Sequence, residues 1–195
     1  MPSPPALAGP AGVAGGGRWL EEDPGPLPRP ISPRRRLRAE ALAEAAAAPD
    51  FGVRVLRMGR CFPEPPERMA MFRLHRGIDA RDVASAHAAL LLDEGPAFAR
   101  YIACAATPFR REDCLELASQ PRNVLARRVP QLLAEFERRG WPLPLSVDRV
   151  YDSARIRREL GWQPRFGPDA VLQQYAAGSI EVLPRAEWIK DRVAE

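Results

Sequence analysis

The sequence predicts an α/β fold with parallel strands, and three observations predict it. Two short runs of β-branched and apolar residues, 53–58 and 99–106, read as strands. Helical patterns with their own start and stop signals lie between and after them. Strands that alternate with helices in this way build parallel sheets, because each crossover needs a helix-length connection. A chain of 195 residues with 46% hydrophobic residues can bury one domain-sized core.

Residues 1–33 hold nine of the 22 prolines, at Pro2, Pro4, Pro5, Pro10, Pro24, Pro26, Pro28, Pro30 and Pro33. Proline removes a backbone donor and fixes φ, so this stretch reads as a flexible segment with neither regular helix nor inner strand. The folded part is expected over 34–180, followed by a tail at 181–195. Residues 34–48, RRRLRAEALAEAAAA, are strong helix formers, although Arg34, Arg35, Arg36 and Arg38 sit where the helix dipole disfavours cations. VRVLRM, 53–58, alternates Val53, Val55 and Arg57 against Arg54, Leu56 and Met58 between Gly52 and Gly59, which favours a strand.

Pro63, Pro65 and Pro66 mark the next stretch as a loop. Asp79 then caps a helix over 79–93, with Val83, His87, Leu90 and Leu91 on one face and Asp82 at the third position. On that face His87 reads as a core or capping histidine. After the 99–106 strand, Thr107 and Pro108 open a helix, FRREDCLELAS. PQLLAEFERR, 130–139, is a helix that stops at Gly140. Asp152 caps SARIRREL, which stops at Gly161, and a last helix follows Pro168.

Net charge is +4, and of the 29 Lys and Arg side chains all but Lys190 are arginine. The arginines are spread along the chain beside acids, which reads as a solvated, salt-bridged surface and not as a nucleic-acid patch. The Arg34–38 run lacks interleaved aromatics. Cys61, Cys104 and Cys114 are odd in number and fit no zinc spacing, and His75 and His87 are the only histidines, so no metal site is expected. Reduced thiols and the lack of a signal pattern suggest the cytoplasm. No apolar run reaches the roughly 18 residues of a membrane span.

Several stretches, in order, resemble the C-terminal, substrate-side half of the NAD-dependent epimerase/dehydratase family, the extended short-chain dehydrogenases/reductases. LEEDPGPLPRPISPRRRLRAEAL, 20–42, is similar to the family's region of the catalytic Tyr-x-x-x-Lys. VRVLRMGRCFPEP, 53–65, resembles the strand that ends beside nicotinamide and substrate. RGIDARDVASAHAALL, 76–91, and YIACAATPFRREDCLEL, 101–117, resemble the next helix, strand and helix. DRVYDSARIRRELGWQPRFGPDAVLQQ, 148–174, is similar to the C-terminal signature D-x-S-K-A-R-x-E-L-G-W-x-P, the most specific of these matches.

The resemblance implies a partial Rossmann-like, doubly wound sheet with a small helical substrate-side region. It also implies NAD or NADP as cofactor and a sugar or sugar-acid ligand. The short loop with FPEP and Arg68-Met69 is most like uronate-dehydrogenase-type members. By that likeness Arg60 contacts substrate, Arg68 pairs with a carboxylate, and Arg36 and Gly59 lie at the cofactor. A guanidinium fork matches two carboxylate oxygens. The other reading leaves Arg60 and Arg68 as solvated loop arginines. Trp162 resembles the family's packing tryptophan.

The catalytic pair itself is missing. Family chemistry uses a phenol of lowered pKa beside a lysine, coupling proton transfer to hydride transfer. Tyrosines occur only at Tyr101, Tyr151 and Tyr175, the lysine is Lys190, and no Tyr-x-x-x-Lys exists. Aligning Glu40 with the family glutamate puts Arg36 at the lysine and Ser32 at the tyrosine; alternatively two residues are deleted after Pro33. No catalytic residue is assigned on either alignment. Gly9, Gly12 and Gly15 form a literal G-x-x-G-x-x-G, but no strand leads in and no helix follows. Two functions remain in view. One is a truncated or degenerate oxidoreductase of this family, inactive as it stands. The other is a non-catalytic interaction protein that docks on a full-length relative or forms a homodimer, because half of a doubly wound sheet exposes strand edges.

Overall fold

The computed structural model of the protein describes residues 17–22 and 34–183, the side chains of 34–38 excepted. In chain order the elements are β1 (Arg18–Leu20), α1 (Arg34–Ala45), β2 (Val53–Met58), α2 (Pro66–His75), α3 (Ala80–Leu91) and β3 (Phe98–Ala103). A 3-10 turn at Arg111–Asp113 leads into α4 (Cys114–Ser119), α5 (Pro121–Arg128), α6 (Pro130–Arg138), β4 (Arg149–Tyr151), α7 (Ala154–Leu160) and α8 (Pro168–Ala176). The fold is α/β, and both of its strand pairs are parallel.

The first layer is built on β2 and β3, paired from Val53 opposite Phe98 to Met58 opposite Ala103, with α2 and α3 in the crossover. Successive strand side chains point to opposite faces. On one face Leu56 and Tyr101 join Ala86 and Leu90 of α3 and Ile156 and Trp162 of the α7 region. On the other, Arg57 and Arg100 both reach Glu40 of α1, Arg57 through bonds of 3.0 and 2.6 Å. Helices on both faces of a parallel pair make this a partial Rossmann-like arrangement.

The second region is helical and surrounds the short β1–β4 pair, Arg18 opposite Arg149 to Leu20 opposite Tyr151. Its core runs through Leu74, Leu117, Val124, Phe136, Val150 and Val171, one from each of six elements. Phe136 meets Trp141 edge-on at 5.2 Å, and Trp141 meets Tyr175 at 5.7 Å. Gly140 and Gly161 end α6 and the α7 helix at φ 61° and 65°, a backbone region that costs glycine little.

Several expectations need correction. β1 lies inside the segment read as flexible, where Arg18 donates to the Asp148 carbonyl at 2.9 Å. The loop expected after Pro63 contains α2, whose Pro66 occupies the first turn, where no N–H is needed. The helix expected from Phe109 begins as a 3-10 turn, α5 was not foreseen, and Val182 of the expected tail packs into the helical core.

The buried face of α3 runs through Asp82, Ala86 and Leu90, with Val83 half-buried against the same core, and not through His87 and Leu91. Asp82 can be buried because its two oxygens accept the backbone N–H groups of Arg165 and Phe166, at 2.9 and 3.0 Å. His87 is exposed, with Nδ1 at 2.8 Å from the Val83 carbonyl oxygen. Arginine is not only a surface residue: Arg73 is buried and bonds Asp79 at 3.1 Å. Trp162 is buried, and its indole N–H donates to Ser85 Oγ at 2.9 Å.

Candidate functional site

The residues singled out after β2 come together. Gly59 ends the strand, donating its N–H to the Ala103 carbonyl at 2.8 Å. A Cβ there would stand 2.7 Å from the Arg76 carbonyl oxygen, so the close passage of two backbones demands glycine. Arg60 continues in extended form. It donates to Arg76 at 2.7 Å and accepts from Ile78 at 3.0 Å, which fixes its Cα beside the end of α2. Its guanidinium lies over the Phe72 ring at 5.1 Å and the Phe62 ring at 5.7 Å.

Arg60 and Arg68 converge on the same carboxylate, and it belongs to the chain itself. Arg60 Nε donates to Glu64 Oε1 at 2.5 Å, and Arg68 Nε stands 3.7 Å from Oε2. Glu64 is buried, while the arginine side chains keep 43% and 60% of their surface exposed. The ligand-binding fork expected from the resemblance is therefore already filled from within. Sequence reasoning missed Glu64; the four-residue steps Arg60, Glu64, Arg68 were the available signal. Arg36 belongs to α1, but its side chain lies outside the described residues, as do Ser32 and the Gly9–Gly12–Gly15 pattern.

Behind this fork, Arg73 and Arg81 share Asp79. Arg81 donates to it through Nε at 2.8 Å and Nη2 at 3.0 Å, and its backbone N–H caps the α3 end at 3.0 Å. These guanidinium and amide donors hold the Asp79 carboxyl below the usual range against the opposing pull of burial. Cys61 is half-buried near this group, and burial raises its thiol pKa, so it is no activated nucleophile.

A separate cleft of about 210 Å³ opens at the C-terminal ends of β1 and β4. Glu21, Glu22, Asp152, Ala154, Arg155 and Arg158 line it; Arg60 and Arg68 do not. Asp152 is fixed by the Trp19 indole N–H at 3.0 Å and the Ala154 N–H at 2.7 Å. Glu22 is buried and accepts the Ile102 N–H at 2.9 Å, and desolvation raises its pKa despite that bond. The cleft offers charges of both signs and no nucleophile–base pair.

The phenols do not supply one. Tyr101 is buried, with its hydroxyl 3.4 Å from Asp93, and burial pushes its pKa up to about 12. That is the reverse of what a phenolate acid/base requires. Tyr175 packs against Trp141. Among the described residues no His, Cys, Asp and Glu group is placed to hold a metal ion, and no helix is long and apolar enough to cross a membrane.

No protein-family model and no curated protein matches this chain. A solved structure, that of RMD from Pseudomonas aeruginosa complexed with NADPH, is similar to it at a TM-score of 0.42 and 19% identity. The match covers 75% of this chain and 55% of that one, so the chain spans about half the length of that protein.

Proposed function

We propose that this chain carries the substrate-side half of an NAD(P)-dependent epimerase/dehydratase-type oxidoreductase and does not turn substrate over by itself. One observation carries the reading: the sequence holds no Tyr-x-x-x-Lys. Serine and guanidinium cannot replace that pair near neutral pH, since one is too weak an acid and the other stays protonated. The Glu64 carboxylate between Arg60 and Arg68 supports it further, because a sugar acid would have to displace an internal partner.

The test is to mix the purified chain with NAD or NADP and a panel of uronic acids and nucleotide-linked sugars. No reduced nicotinamide is expected. Its accumulation at a rate proportional to protein would sink the reading. A second reading has its own support in the outer edge of β2, which no strand pairs among the described residues: the chain acts as an interaction protein, docking on a full-length relative or on itself.

A further inference from the structure

We draw no further inference here: the strongest candidate, the cleft of about 210 Å³ at the C-terminal ends of β1 and β4, carries nothing, because Glu21, Glu22, Asp152, Arg155 and Arg158 each already bond another group of this chain and nothing in the structure shows what the cleft would hold.

Discussion

The two regions of this molecule are held by different physics. The helical region closes on itself through apolar contacts, six elements meeting around Leu74, Phe136 and Val171. The β2–β3 layer is thinner, faced with small residues such as Ala86, Ala99 and Ala103, and is tied together by charged clamps. Asp82 grips the 165–166 backbone, Glu40 spans β2 and β3, and Glu22 closes the β3 edge. Among the described residues, the layer clamped by carboxylates pairs β2 on one edge and ties the other edge of β3 to Glu22.

Deleting a ring should break the contrast most visibly. Phe136 is fully buried and edge-on to Trp141. Phe136→Ala should cost about 3–5 kcal/mol, the usual range for emptying such a site. Denaturant unfolding measures the loss. Amide exchange should place it in α2, α4, α6 and α8 before it reaches β2 and β3. A loss under about 1 kcal/mol would mean that the helical region is not packed as described.

Acid should sharpen the contrast next. His75 is buried at the end of α2, with Nδ1 3.0 Å from the Arg149 carbonyl oxygen of β4, and burial lowers its pKa from 6.5 to about 4. The unfolded chain takes the proton first. Stability is therefore intact above 6.5 and falls as pH drops through 6.5 to about 4, by up to about 3 kcal/mol. The charges of Arg76 and Arg149 face the same ring and lower its pKa further, while Asp148 and the bond to the Arg149 carbonyl oppose them. Glu22 in the other layer has a raised pKa, so protonation there favours the folded form. The α2 and β4 amides should lose protection on acidification before those of β3, and His75→Gln should flatten the pH dependence. An unchanged slope in that variant would remove His75 as the cause.

What the sequence made legible follows the same division. The β2–β3 layer shows period-two alternation, an N-cap at Asp79 and a glycine stop at Gly161, all local signals, and each stands in the structure. The helical region hid more. β1 and β4 have three residues each, too few to show a period. α2 was masked by prolines that serve as its start. The buried carboxylates were invisible for a common reason: Asp82, Glu22 and Glu64 are tolerated inside only because of partners far away in sequence or folded back on them. No local pattern announces such a partner.

The smallest expected effect tests the junction of the two regions, at Glu64. Its carboxylate faces Arg60 and Arg68, while its backbone carbonyl accepts Leu183 N–H at 3.0 Å beside the helical core. Glu64→Gln keeps the shape and the backbone bond and removes the charge. The arginines are largely solvated, so stability should change by less than about 1 kcal/mol. The freed guanidinium fork should then bind a uronic acid several-fold more tightly than the wild type does, read by calorimetry. Adding Arg68→Ala should reverse the gain. If Glu64→Gln binds no better, the fork is a structural clasp and the sugar-acid expectation drawn from Arg60 and Arg68 goes with it.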